Sequence, residues 1–246
     1  MSNRDKVLDD YVQLIDYMGT DLDVVNAARV SMNKESELEL DWEYDVCDCC
    51  EPTEFYGLSE KDKKLIKYLA KHEHWTPFSQ NAVKFRIKMP IFIARQWFKH
   101  TVGFTRNEVS RRYVSDSPEF WEPESWRKAA DNVKQGSSEI NIGGWIGTGN
   151  TCYLGETYTG AIYQLQEFYE MMIEHGVCPE QARMVLPQSM MTEFIETGNL
   201  ASYARLCKLR LDPHAQKEIQ WYAEAIASGM EELFPISWEA LMEEEL

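Results

Sequence analysis

The stretch NAVKFRIKMPIFIARQWFKH, residues 81–100, sets two hydrophobic periods back to back. Val83, Phe85, Ile87 and Met89 alternate with Lys84, Arg86 and Lys88, the period of a strand with one buried face. Pro90 follows at a position where a helix loses least by lacking an N–H. IFIARQWFKH is therefore predicted as a short helix opened by Pro90 and ended by Gly103. A strand thus runs straight into a helix and then into a loop, where binding chemistry tends to sit.

The same punctuation recurs outward from this stretch. LSEKDKKLIKYLAKHEH offers Ser59 as an N-cap, acids in its first turn and Leu65, Ile66 and Leu69 on one stripe, which predicts an amphipathic helix. TYTGAIYQLQEFYEMMIEHG is predicted as a long helix closed by Gly176, and PEQARMVLP as a short one opened by Pro179. MMTEFIE has the composition of a strand, Asn199 caps the helix LASYARLCKLRL, and HAQKEIQWYAEAIASGMEEL gives another helix. Helices predominate and strict βαβ alternation is absent. The expected fold class is α+β, one mixed domain over residues 1–246 with helices packed on a twisted β-sheet. Two segments read as insertions: residues 33–58, acidic and cysteine-bearing, and residues 127–155, which include the glycine-rich GSSEINIGGWIGTGN. Gly147-Thr-Gly149 is no dinucleotide fingerprint, because Cys152 stands where the third glycine belongs.

A chain of 246 residues with 44% hydrophobic content can bury a proper core. Its formal charge of −16 argues against a general binder of DNA or RNA, since that affinity comes from cations neutralising phosphates. MSNRDKVLDDYVQ is too charged for a signal peptide, and no apolar run approaches the roughly 20 residues of a membrane span, so a cytoplasmic location away from membranes is expected. The cluster CDCCE, with Cys47, Cys49 and Cys50, lacks paired C-x-x-C spacing; free thiols, and no metal site, are expected.

Against this acidic background RQWFKHTVGFTRNEVSRRY, residues 95–113, carries Arg95, Lys99, Arg106, Arg111, Arg112 and His100 against the single acid Glu108. Such a cluster is either a solvated face or a mould for a small anion. Further along, KHEHWTPF carries His72 and His74, QARMVLP carries Arg183, and LRLDPHAQ carries Arg210, Asp212 and His214. His72, His74, Asp212 and His214 would suit a hydrolytic metal centre, which makes a metal-dependent nucleotide phosphohydrolase one alternative. The abundance of arginine favours anions instead, because a guanidinium fork matches phosphate and imide oxygens and cannot bind a cation.

RQWFKH followed by NEVSRRY resembles the signature of the flavin-dependent thymidylate synthases, the thymidylate synthase complementing protein family. NAARVSM (26–32), KHEHWTPF (71–78), PIFIARQWFKH (90–100), QARMVLP (181–187) and LRLDPHAQKEIQ (209–220) resemble further family segments in the same order. The family hallmark is Arg-His-Arg, seven residues, then Ser. Here the triplet is Lys99-His100-Thr101 with one extra residue before Ser110. Lys99 keeps charge but not the planar fork, Thr101 keeps neither, and Arg106 in the lengthened loop is the candidate to replace the missing guanidinium toward the flavin. A catalytically silent flavin- or nucleotide-binding protein is a second alternative that this altered triplet leaves open.

The resemblance implies methylation of dUMP to dTMP, with methylenetetrahydrofolate as carbon donor and FAD, reduced by NADPH, as hydride source. It implies that Ser31, His74, Thr76, Lys99, His100, Thr101, Asn199 and Arg205 line the FAD site. By the same resemblance Gln96, Lys99, Glu108, Ser110, Arg111, Arg112, Arg183 and Arg210 surround dUMP, with Arg210 the catalytic cation at the pyrimidine ring. Ser110 is assigned to binding, since its neighbours supply no evident base to make it a nucleophile. The family forms homotetramers with active sites shared between subunits, so these blocks need not converge within one chain.

Overall fold

The alternation in residues 81–90 becomes a strand because a sheet needs one face for the core. The computed structural model describes residues 2–44, 53–130, 137–142, 145–146 and 152–243. Its main sheet has four antiparallel strands, β1 (Val12–Met18), β2 (Ala82–Pro90), β3 (Phe104–Glu108) and β4 (Met191–Gly198), in the spatial order β1-β2-β4-β3. Its principal helices are α1 (Asp21–Arg29), α2 (Glu60–Lys71), α3 (Ile91–Trp97), α4 (Leu154–Glu174), α5 (Leu200–Arg210), α6 (Lys217–Leu233) and α7 (Pro235–Met242). The class is mixed helix and sheet, as expected.

Register decides which side chains meet. Val83, Phe85, Ile87 and Met89 lie opposite Gly198, Glu196, Phe194 and Thr192, and all eight are buried. Burying each of the four β2 side chains contributes roughly 1.5–3 kcal/mol relative to exposure. Helices α5 and α6 pack against one another over this face. Tyr203 of α5 sets its ring edge-on to Phe85 at 5.5 Å and to Phe104 at 5.0 Å, and Gly229 of α6 leaves room for Phe85. The opposite face of β2 is charged, with Arg86 paired to Glu193 and Lys88 to Glu119.

Polar groups tie the helices in place. Ser59 caps α2 by accepting from the Asp62 N–H at 3.2 Å, and the buried Asp62 pairs with Arg29 at the end of α1. Asp21 at the start of α1 accepts from the N–H groups of Ile236 and Ser237 at 3.0 and 2.9 Å, which satisfies the first turn of α7.

Several boundaries differ from the sequence expectation. Pro90 is the N-cap of α3 rather than its first residue, and α3 ends at Trp97, well before Gly103. Beyond Trp97 the chain tightens, with Lys99 N–H on Gln96 O at 3.3 Å and His100 N–H on Trp97 O at 3.1 Å. Gly103 lies in the following turn at φ +79°, where a Cβ would collide with Ser202 Oγ. The helix expected from His214 starts at Lys217, because Asp212 Oδ1 draws the His214 N–H into a turn at 2.7 Å. Strand β1 has no alternation to announce it; it is an edge strand, exposed at six of its seven residues, and its pairing with β2 makes it a strand.

The segments expected as insertions contribute no strand to the main sheet among the described residues. Glu39–Tyr44 pairs with Thr53–Gly57, Arg127–Ala129 with Ser137–Asn141, and Trp145–Ile146 with Cys152–Tyr153. Cys47, Cys49 and Cys50 lie outside the described residues, while Cys178 and Cys207 are free thiols. No helix among the described residues is long and apolar enough to cross a membrane.

Candidate functional site

The functional candidates concentrate where α3 returns the chain to the end of the sheet formed by Gly198 and Phe104. Here β4 runs into α5 through Asn199, whose Oδ1 accepts from Ser202 N–H at 2.9 Å and from Ser202 Oγ at 2.7 Å. Leu200 N–H donates to Asn81 Oδ1 at 2.8 Å, so the start of α5 is fastened to the start of β2. Arg205, one turn further along α5, reaches back over the loop and donates to Val102 O at 2.9 Å.

Beneath the loop lies a buried ion pair. Register sets Arg106 on β3 directly opposite Glu196 on β4, and Arg106 Nε donates to Glu196 Oε2. Trp97 Nε1 donates to both oxygens of the same carboxylate at 3.2 and 3.1 Å. Arg106 also donates to His100 O and lies between the rings of Phe98 and Phe104. Burial raises the Glu196 carboxyl above its ordinary range, opposed by the Arg106 charge and the hydrogen bonds. The expected replacement of a flavin-facing guanidinium by Arg106 is therefore corrected: the side chain turns inward to neutralise Glu196.

Arg210 closes the last turn of α5. Its Nε donates to His100 Nε2 at 2.9 Å and its Nη2 to Gln96 O at 3.3 Å. Accepting at Nε2 requires a neutral imidazole with its proton on Nδ1. Burial, and then the charges of Arg210, Arg106 and Arg205, hold His100 down to about 4 from an ordinary 6.5. Two carbonyls at the end of α3 and in its turn thus receive guanidinium donors, Gln96 O from Arg210 beside the Lys99 N–H, and His100 O from Arg106. Burial also pulls Arg210 down from its ordinary range. A half-buried fixed cation beside a neutral acceptor suits stabilisation of negative charge developing on a bound ring.

A second group lies beyond β3. Glu108 accepts from Thr192 Oγ1 at 2.6 Å, Ser110 Oγ accepts from Arg112 N–H at 3.3 Å, and Arg111 donates to Asp116 O. Arg112 pairs with Glu180 at 2.8 Å, which links this loop to the short helix Pro179–Ala182 and so to Arg183 next along the chain. The Arg112–Glu180 pair is exposed at 48% and 56%, so it is worth at most about 1 kcal/mol and is easily exchanged for a ligand anion.

The remaining candidates are exposed. Ser31 Oγ donates to Ala28 O at 2.8 Å, and the turn Pro77–Ser79 after Thr76 packs against both α1 and α5. His74 lies beside Tyr68 and His72, with ring centroids 6.2 and 6.5 Å away. Lys99 is exposed, and among the described residues Lys99, Arg183 and Arg205 enter no ion pair. The chain therefore joins Gln96, His100 and Arg210 directly, with Asn199 and Arg205 alongside, whereas no described hydrogen bond or ion pair links them to Arg112 or Arg183.

The hydrolytic alternative finds no centre. Among the described residues no three His, Cys, Asp or Glu side chains gather to hold a metal ion, and His214 pairs only with Asp212 at the surface. Sequence reasoning missed Glu196, Glu180 and Gln216. Glu196 alone had a visible signal, since it falls on the inward positions of MMTEFIE.

Removing the guanidinium by Arg106→Ala is expected to strand a buried carboxylate and cost about 3–5 kcal/mol of stability in urea unfolding. A loss below about 1 kcal/mol would contradict the structural role of the pair.

Known proteins share this arrangement of elements. A family model described as Thymidylate synthase complementing protein matches residues 13–236. The chain is similar to a flavin-dependent thymidylate synthase of Thermus thermophilus, 37% identical over 237 residues, covering 95% of this chain and 76% of that protein. It is also similar to one of Thermosipho melanesiensis, 37% identical over 242 residues, covering 96% of this chain and 93% of that one. Among solved structures it resembles the UMP/dUMP methylase PolB of Streptomyces cacaoi bound with 5-Br dUMP, at TM-score 0.71 and 27% identity over 93% of each chain. From β1 to the first turn of α7, the matched region takes in the whole sheet and every helix that holds His100 and Arg210, and the chain belongs to the thymidylate synthase complementing protein family.

Proposed function

We propose that this protein methylates dUMP to dTMP, taking the carbon from methylenetetrahydrofolate and the hydride from FAD reduced by NADPH. The observation that carries this is Arg210, half-buried and held by the neutral His100 and by Gln96 O. A pyrimidine ionised at N3 places negative charge where a fixed cation stabilises it, and the density pushed toward C5 lets that carbon attack the methylene donor. His100 stays neutral and so orients the guanidinium without adding a competing charge. The chain needs no nucleophile of its own, in keeping with Ser110 as a binding group; among the described residues its Oγ meets no histidine or carboxylate.

The residues present fit a flavin dinucleotide. Lys99 and Arg205 are exposed cations, and Ser31, Thr76 and Thr101 are exposed hydroxyls, a donor set suited to a diphosphate. Trp75 and Tyr68, 65% and 55% exposed beside His74, offer planar surfaces to a ring system. His74, His100 and Asn199 would complete this set. When bound, the reduced flavin supplies the hydride that completes the methyl group. Gln96, Lys99, Glu108, Ser110, Arg111, Arg112 and Arg183 would hold dUMP, the cations taking its phosphate, with Arg210 at the ring.

We further propose a cytoplasmic homotetramer in which the Arg112 and Arg183 group of one subunit completes the Arg210 group of another. Two exposed apolar surfaces support assembly: Leu14, Ile15, Tyr17 and Met18 on the edge strand, and Tyr163, Phe168 and Met171 on α4.

Formation of dTMP from dUMP, methylenetetrahydrofolate, NADPH and FAD is the direct assay. Arg210→Ala is expected to lower kcat about 10²–10³-fold with flavin still bound. A flavin-loaded wild-type protein that makes no dTMP contradicts the proposed activity. Mixing Arg112→Ala with Arg205→Ala chains is expected to restore part of the activity through hybrid sites. No recovery after verified subunit exchange contradicts sharing by that pair.

A further inference from the structure

Gln96 touches both ends of the turn that joins α5 to α6. Its main-chain oxygen accepts from Arg210 Nη2 at 3.3 Å, and its Nε2 donates to Gln216 Oε1 at 2.6 Å. Gln216 is the N-cap residue of α6, and its own Nε2 donates to Glu218 Oε2 at 2.9 Å. Glu218, only 6% exposed, also pairs with Arg127, whose Nη2 lies 2.9 Å from Oε2 and 2.7 Å from Oε1. Arg127 opens the second of the two segments that lie outside the main sheet.

The direction of this chain is fixed by its far end. A carboxylate paired with arginine can only accept, so Gln216 must turn its amide NH2 toward Glu218 and its oxygen toward Gln96. Gln96 must then turn its own NH2 toward Gln216. Its Oε1 meets no partner among the described residues, so one acceptor and one remaining N–H are offered in a set orientation. A flipped amide would exchange donor for acceptor and leave two like groups facing each other.

We propose that Arg127, Glu218 and Gln216 form a relay that sets the orientation of the Gln96 side-chain amide, making Gln216 a positioning residue for the nucleotide site. The inference rests on the proposed function only where it assigns Gln96 and Arg210 to that site. It also means that the segment opened by Arg127 anchors the relay through Glu218.

The test compares wild type with Gln216→Met, Gln216→Glu and the double swap Gln216→Glu/Glu218→Gln. The first removes the polar atoms at equal length; the second sets two carboxylates side by side. In the swap, the new amide at 218 accepts from Arg127 and donates to the new carboxylate at 216, which accepts from Gln96, so the order of donors and acceptors is rebuilt. Both single variants are expected to lower kcat/KM for dUMP about ten-fold, to leave flavin affinity within about two-fold, and to speed amide hydrogen exchange over residues 211–216. The swap returns turnover and exchange to within about three-fold of wild type, the non-additivity a direct coupling requires. A swap as impaired as Gln216→Glu, or a Gln216→Met indistinguishable from wild type, overturns the relay. Should Gln216→Met fail to fold, the other two variants decide. Should wild type fail to act on dUMP, the functional proposal falls and hydrogen exchange alone decides the relay: restoration by the swap supports it and no restoration overturns it.

Discussion

A single buried ion pair, Arg106 with Glu196, conditions the rest of the site. Taking both charges out of water is costly, and the cost is offset by the Arg106 charge and by the Trp97 indole N–H, which is shared between both carboxylate oxygens. The same guanidinium reaches His100 O, so neutralising Glu196 also fixes the turn after α3. With that turn fixed, His100 stands amid Arg106, Arg205 and Arg210, stays neutral, and accepts from Arg210. Core electrostatics and site geometry are therefore one arrangement, reached through the register of β3 on β4.

The arginines divide by what they already hold. Arg29, Arg106 and Arg127 are largely buried and committed to Asp62, Glu196 and Glu218, and each ties two elements together. Arg205 and Arg210 are turned to carbonyls or an imidazole, and Arg183 is exposed without an ion pair among the described residues. Cations left without carboxylates in a chain of net charge −16 are where an anionic ligand gains most, because its charge-assisted hydrogen bonds displace water rather than an existing partner. Arg112 stands between these classes, with an exposed pair to Glu180 that a phosphate can replace at little cost.

Much of the fold was legible because its signals are local. The alternation of residues 83–89, Ser59 before α2, Gly176 after α4 and Asn199 before α5 each act within one or two turns, and each appears in the structure as expected. Where tertiary pairing decides, the sequence was silent or misleading. β1 exposes most of its side chains and has no pattern, and beyond Trp97 the chain tightens into a turn whose His100 O is taken by Arg106 from β3. Arg106 has the charge of a flavin ligand, and only its position opposite Glu196 reveals a structural role. Likeness in many short segments pointed to Gln96, His100 and Arg210 together. The bonds joining them to each other and to Gln216 depend on residues over 100 positions apart, beyond any local pattern.

The most direct measurement is the titration of His100 by nitrogen NMR on histidine-labelled protein. The arrangement requires a neutral ring with its proton on Nδ1 from neutral pH down past pH 5, titrating at about 4. A ring that takes up its proton at the ordinary value near 6.5, or that carries its neutral proton on Nε2, would mean that Arg210 is not held as described.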